Sequence, residues 1–265
     1  MDTLVYSAWS INNNIIKIFS VPQDLFQAVV EDFAQRANTA VTAKGFFTVV
    51  LSGGNTPKLF FDALVESKLS IPWHQIKFFF GDERYVPAND ERSNYYMAQK
   101  HLFSNVPVPA ENIYRIPTEF NDPKIAAENY EMIIRKVFNL KNNEFPKFDL
   151  IYLGLGEDAH TASLMPFSEI VENKNSDIIV ASLWVPELNM YRITLTPKAI
   201  NHSTCICFLV TGQRKASAVW HTLKGPFHPQ QYPAQLIQCK SGKTIWYLDQ
   251  AAAAMFMGDF KKCIN

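Results

Sequence analysis

The sequence predicts an α/β fold with a Rossmann-like, mostly parallel central sheet and helices on both faces. Three observations point there. Short β-rich runs alternate with longer amphipathic ones, the short runs are almost continuously apolar, and several end in glycines or charged turns. Strands buried on both faces read this way because helices cover them above and below.

In chain order, Ile15–Phe19 reads as a strand. Leu25, Phe26, Val29, Val30 and Phe33 then form one helical stripe, with Pro22 suited to a first turn. Phe46–Leu51 is a second strand that ends at Ser52-Gly53-Gly54, and Pro57 opens the next helix through Leu59, Phe60, Ala63 and Leu64. Ile76–Phe80 is a third strand, followed by a charged turn at Gly81-Asp82-Glu83-Arg84. Asp122-Pro123 reads as an N-cap with proline at the first helical position, opening a helix through Val137. Further strands are expected at Phe148–Leu153, Arg192–Leu195, Thr204–Val210 and Thr244–Leu248, and helices at Gln213–Leu223 and Asp249–Met257. Pro226–Pro233 is the most loop-like stretch. With no internal repeat and no Gly/Ser linker, residues 1–265 are expected to form one domain.

Composition narrows the function classes. The 25 basic residues equal the 25 acidic ones, so no basic excess argues for nucleic acid or an anionic membrane surface. Any anionic ligand must be held by a few local charges. Cys205, Cys207, Cys239 and Cys263 form no CxxC pair and no Cys/His ligand spacing, so neither a metal site nor a disulfide framework is expected. The N-terminus lacks a basic region followed by an apolar stretch, and no run approaches the roughly 18 apolar residues of a membrane helix. The expectation is a cytoplasmic protein, a monomer or small homo-oligomer, with no nucleic-acid or membrane partner.

Three predicted strands end in turns rich in glycine or charge: Ser52–Thr56, Asp82–Arg84 and Gly154–His160. In a parallel sheet such ends lie on one edge, where the turns can converge on one crevice. Gly53 and Gly54 would let backbone approach a ligand, the hydroxyls of Ser52 and Thr56 would add donors, and free N–H groups at the start of the helix favour an anion. An ordinary strand-to-helix turn explains this stretch alone equally well. Asp82-Glu83-Arg84 also reads as a solvated turn, although a guanidinium at a strand end can clamp phosphate or an oxyanion. His160 differs from His74, His101, His202, His221 and His228 because glycines and an acid surround it. Asp158 can reach its imidazole only if Ala159 sits in a turn, since residues two apart in an extended chain face opposite ways; a helix-capping role for Asp158 is the alternative. Arg192 and Lys215 supply cations near two further strand ends.

Read together, LSGGNTP (51–57), GDERYVP (81–87) with Ser93-Asn94-Tyr95, FDLIYLGLGEDAHTASLMP (148–166), RITLTP (192–197), VTGQRKA (210–216) and YPAQLI (232–237) resemble, in order, the 6-phosphogluconolactonase family. Its superfamily also contains glucosamine-6-phosphate deaminase. The resemblance implies the fold of the sugar-phosphate isomerase/lactonase type and a site at the strands' carboxyl ends. It implies hydrolysis of 6-phospho-D-glucono-1,5-lactone to 6-phosphogluconate, a small sugar-phosphate substrate, and no metal or organic cofactor. Ser52, Gly53, Gly54, Asn55 and Thr56 would then line the phosphate pocket, with Arg192 and Lys215 as clamps. Arg84 would help bind substrate, and His160 would be catalytic with Asp158 beside it.

Two departures stand out: Ala159 where the family usually has glycine, and Met165 for the commoner phenylalanine. Ala159 would be strained if the turn needs a positive φ. Two alternatives remain. A glucosamine-6-phosphate deaminase would use Asp82 as acid/base, but its His motif continues into Asn-Glu-Pro, whereas this chain reads Ser163-Leu164-Met165-Pro166. A non-catalytic sugar-phosphate-binding protein would bind 6-phosphogluconate without turnover.

Overall fold

A computed structural model describes residues 5–11, 13–173 and 177–257. The chain opens with a hairpin of β1 (Val5–Ile11) and β2 (Asn14–Phe19), and then forms the long helix α1 (Pro22–Lys44). Leu25, Phe26, Val29, Val30, Phe33, Ala34 and Ala37 recur at helical spacing, and all are buried. Gly45, at φ 84°, closes the helix in the left-handed conformation, its N–H donating to the Val41 carbonyl. β3 (Phe47–Leu51), α2 (Asn55–Glu66), β4 (Ile76–Phe80), β5 (Asp82–Arg84) and α3 (Asn94–His101) follow. Next come β6 (Ile113–Tyr114), α4 (Pro123–Phe138), β7 (Leu150–Leu153), α5 (Glu169–Glu172), β8 (Val180–Val185) and β9 (Met190–Leu195). The described chain continues with α6 (Pro197–Asn201), β10 (Cys205–Val210), α7 (Ala216–Leu223) and β11 (Lys243–Asp249).

Eight strands form one sheet in the order β1-β2-β11-β10-β7-β3-β4-β6. Every pairing is parallel except that of β1 with β2. From β3 the chain runs outward to β4 and β6, then returns to β7 on the other side of β3 and proceeds to β10 and β11. The reversal falls between β3 and β7, so the connections leaving these strands diverge and open a crevice at their carboxyl ends. At the amino ends of the same two strands a part-buried polar clasp joins β3 to β7. Asp149 accepts from the Thr48 N–H at 2.8 Å and the Thr48 hydroxyl at 2.7 Å, and its own N–H donates to Thr48 Oγ1 at 3.0 Å.

A second sheet, β5-β9-β8, is antiparallel and small. It corrects the expectation of a charged turn at Asp82–Arg84, because these residues form a buried strand and two of them are almost wholly enclosed. Gly81 is the joint between the sheets: its N–H donates to Leu51 in β3, and its carbonyl accepts from Leu195 in β9. Just before the joint, the buried Tyr130 hydroxyl takes both the N–H and the carbonyl of Phe80. The main sheet can therefore end there without orphaned backbone groups.

Other boundaries also shift. α2 begins at Asn55, two residues before Pro57, and a 3₁₀ turn at Gln213–Lys215 precedes α7. The helix expected from Asp249 is replaced by the end of β11 and a turn, with helical residues only at 254–257. The Asp249 carboxylate accepts from the Gly212 and Ala252 N–H groups, which holds residue 249 in that turn. No described helix is long and apolar enough to cross a membrane.

Candidate active site

The turns after β3, β7 and β10 and the face of β5–β9 enclose a cleft of about 410 Å³. Its lining includes Ser52 to Thr56, Asp82, Arg84, His160, Arg192 and Lys215. Asp158 lies behind the imidazole and contacts it from the turn. None of the other five histidines lines the cleft.

The turn after β3 presents backbone. Gly54, at φ 105°, is the N-cap of α2, and no side chain caps that helix. The first N–H groups of a helix have no intrahelical partner, so they face the cleft as donors and carry the positive end of the helix dipole. Gly53 is required by a neighbour: a Cβ there would lie 1.9 Å from Asn94 Oδ1. Opposite, the Thr56 and Thr211 hydroxyls meet at 3.0 Å. Thr211 and Gly212 belong to the turn after β10, and Gly212 is held at φ 97° with its N–H on Asp249.

Antiparallel pairing of β5 with β9 sets Arg84 directly opposite Arg192 and Asp82 opposite Thr194. Alternation along β5 turns Asp82 and Arg84 to the cleft and Glu83 to the other side. There Glu83 accepts from the N–H groups of Asn94 and Tyr95 and from the Ser93 hydroxyl, which fastens the first turn of α3. Burial pushes the Glu83 carboxyl up, against the pull of these donors. Asp82 is bonded at both oxygens: Oδ1 accepts from Asn94 Nδ2 at 3.2 Å, and Oδ2 accepts from the Ser163 hydroxyl at 2.7 Å. Oδ2 also lies 3.6 Å from the Arg192 guanidinium.

The cations of the cleft are under-compensated. Arg192 is 8% exposed, and both its Nε and that of Arg84 are buried without a hydrogen-bond partner. Desolvation holds Arg192 below the usual arginine range; Asp82 opposes this, and the adjacent Arg84 adds to it. Burial likewise lowers Lys215, against Glu157 and Asp158. A bound anion would relieve both groups, because it restores the favourable field that burial removes.

The turn after β7 presents a side chain. His160 Nδ1 lies 2.6 Å from Asp158 Oδ1, and the same oxygen accepts from the His160 backbone N–H at 3.2 Å. Burial raises the Asp158 carboxyl, but the bonds from His160 outweigh it and the net direction is down. With Nδ1–H donating to Asp158, Nε2 carries the free lone pair. This geometry needs residue 159 in a left-handed turn, and Ala159 adopts φ 64°. Such a conformation costs a residue with a Cβ roughly 1–2 kcal/mol. Ala162, at φ 48°, repeats the strain two residues beyond His160. Gly156 leaves room for the pair, since a Cβ there would fall 2.2 Å from His160 Nδ1. Among the described residues, no group of three or more His, Cys, Asp or Glu is placed to hold a metal ion.

The sequence reading named Ser52–Thr56, Asp82, Arg84, Asp158, His160, Arg192 and Lys215, and the fold gathers them around this one cleft. It passed over Asn94, Ser163 and Thr211. All three stand inside quoted motifs, but a lone Asn, Ser or Thr carries no signal until its partner, coming from another stretch of chain, is placed beside it.

Comparison with known proteins points to one family. The family model described as glucosamine-6-phosphate isomerases/6-phosphogluconolactonase matches residues 20–246. The 6-phosphogluconolactonase of Nostoc sp. is 38% identical over 219 residues, which is 83% of this chain and 88% of that protein. The 6-phosphogluconolactonase of Haemophilus influenzae is 40% identical over 209 residues, covering 78% of this chain and 86% of its own. The crystal structure of 6-phosphogluconolactonase from Thermotoga maritima superposes with a TM-score of 0.76 at 30% identity, covering 89% of this chain and 99% of that one.

Proposed function

The chain belongs to the glucosamine-6-phosphate isomerase/6-phosphogluconolactonase family, and from that premise we propose that it hydrolyses 6-phospho-D-glucono-1,5-lactone with His160 as general base. This is the second step of the oxidative pentose phosphate pathway. One observation carries the reading: the Asp158–His160 pair opens on the same cleft as the uncapped start of α2 and the under-compensated Arg192 and Lys215.

The phosphate is held by the turn Ser52–Thr56, with Arg192 and Lys215 closing on it. A dianion of about −1.5 to −2 charges matches two cations and a helix start. Anchoring the phosphate places the lactone carbonyl, which lowers the entropic part of the barrier. His160 Nε2 then removes a proton from water as the water oxygen attacks C1, and the carbonyl electrons move onto oxygen. Arg84, whose side chain lines the cleft, supplies a guanidinium donor to the substrate's charged oxygens. As the carbonyl re-forms, the bond from C1 to the ring oxygen breaks and the imidazolium returns its proton to that oxygen. The resulting carboxylic acid ionises, so one proton is released per turnover. Asp158 fixes the ring tautomer and balances the transient imidazolium. A positioned base contributes typically ~10²–10⁴-fold.

Asp82 is best read as an anchor, because its two oxygens already accept from Asn94 and Ser163. That occupancy, together with Ser163-Leu164-Met165-Pro166 after the histidine, weighs against an amino-sugar isomerase that needs a free carboxylate base. Ammonia release from glucosamine 6-phosphate would revive that alternative. A displaced imidazole at Ala159 would favour a binding-only protein, yet the turn keeps Asp158 on the imidazole with alanine in place.

The test is proton release from freshly generated lactone, with spontaneous hydrolysis subtracted. His160→Ala should lose most turnover while retaining 6-phosphogluconate binding. Native turnover in that variant would remove His160 from the mechanism.

A further inference from the structure

We propose that Gln235 is a positioning residue for the catalytic turn, acting through the segment 226–235; this rests on the role of His160 given above. The motif Tyr232–Ile237 has no place in the chemistry so far, yet it grips the strained turn directly. The Ala234 N–H donates to the carbonyl of Ala159 at 3.0 Å. A second tether lies beyond His160, where the Phe167 N–H donates to the Gln230 carbonyl at 2.8 Å. Phe167 is itself left-handed, at φ 57°. The chain between residues 159 and 167 is thus held at both ends by the same segment.

Gln235 is what keeps that segment folded. Its side chain is buried, and its amide is used in full: Oε1 accepts from the His228 N–H at 2.7 Å, and Nε2 donates to the carbonyls of His221 at 2.8 Å and Pro226 at 2.9 Å. Only an amide of this length supplies one acceptor and two donors there. Tyr232 stacks on His221 at 4.3 Å. At Gly225 a Cβ would lie 2.8 Å from the His221 carbonyl oxygen, so the loop folds back closely on the end of α7. An alanine at positive φ persists only where its surroundings over-determine it. The Ala234–Ala159 bond is such a restraint, and Gln235 holds the donor in place. Among the described residues no hydrogen bond joins Ser52–Thr56, Arg192 or Lys215 to this segment, so the two halves of the site should respond differently.

The experiment compares Gln235→Met, which keeps length but loses all three bonds, with the parent, in the lactone proton-release assay and in 6-phosphogluconate binding. His160→Ala is included as a control. Expected is a fall in kcat of about 10-fold or more, since small misplacements of a catalytic group cost up to ~10²-fold. KM and product affinity should stay within about twofold, because uniform binding is untouched. Adding Ala159→Gly removes the reason the turn needs a restraint. It should therefore recover more activity in the Gln235→Met background than it gains in the parent, a coupling that general destabilisation does not produce. If Gln235→Met does not fold, Gly225→Ala pushes the loop from α7 with Gln235 intact, and the same split and the same rescue are expected. Parent-like kcat, a joint loss of kcat and product affinity, or the absence of rescue would each overturn the proposal. If His160→Ala turns over normally, the base assignment fails and the positioning role falls with it. If that variant is dead while Gln235→Met is parent-like, only the positioning role fails.

Discussion

Two turns flank the crevice between β3 and β7, and they solve opposite problems. The turn after β3 offers backbone N–H groups to a ligand and uses Gly54 at φ 105°, where no side chain is wanted and no strain arises. The turn after β7 aims a side chain, and it takes positive φ at residues with a Cβ, Ala159 and Ala162. Its shape is closed from within by the Gly156–His160 backbone bond and the Thr161 hydroxyl on Gly154, and held from outside by the Ala234–Ala159 bond. A cradle for an anion can be local in sequence. A catalytic ring in a strained turn needs support from elsewhere in the chain.

The largest expected effect separates the two turns by function. His160→Ala should lower kcat by ~10²–10⁴-fold with product affinity retained, whereas Arg192→Ala should weaken 6-phosphogluconate binding by roughly 10- to 100-fold, the worth of a charged hydrogen bond. Isothermal titration and steady-state rates on both variants measure the split. If Arg192→Ala lowers kcat alone, the division of labour is wrong.

Exchanging residues between the turns sharpens the contrast. Gly54→Ala adds a Cβ at φ 105° and ψ 177°, a region essentially confined to glycine, and should destabilise by roughly 1–3 kcal/mol while weakening phosphate affinity. Ala159→Gly should go the other way, raising stability by up to about 1 kcal/mol once the greater freedom of unfolded glycine is deducted. Thermal unfolding reads both, and a stability loss in Ala159→Gly would mean that the left-handed alanine is not strained.

The smallest effect is a pH dependence. The Asp158 carboxyl is held below its ordinary range in the folded chain, so its contribution to stability is present above the unfolded value and disappears as pH falls through the folded one. The stability difference between the parent and Asp158→Asn should therefore shrink below about pH 4. With the side chain half exposed, the effect is small. A difference that grows on acidification would contradict the paired arrangement.

What was legible in the sequence follows the range of the physics involved. Ile76–Phe80 and the stripe from Leu25 to Phe33 were readable because burial repeats within a few residues. The Asp122-Pro123 helix start was readable because capping is local; Asp122 accepts from the Lys124 N–H. The small antiparallel sheet was not legible. β5 consists of Asp82, Glu83 and Arg84, which no propensity marks as a buried strand, and the Asp82 carboxylate is satisfied by Asn94, Ser163 and Arg192, up to more than a hundred residues away. Asp249 was likewise taken into a helix because its partner Gly212 lies on another strand's turn. The glycines and the Asp-x-His spacing drew attention to the site, while its supporting polar residues became visible only once the chain was folded.

A crystal structure with 6-phosphogluconate bound tests the central spatial claim most directly. The account predicts phosphate on the backbone of Ser52–Thr56 between Arg192 and Lys215, with a C1 carboxylate oxygen within hydrogen-bond reach of His160 Nε2. Phosphate seated elsewhere, or a carboxylate pointing away from that imidazole, would contradict it.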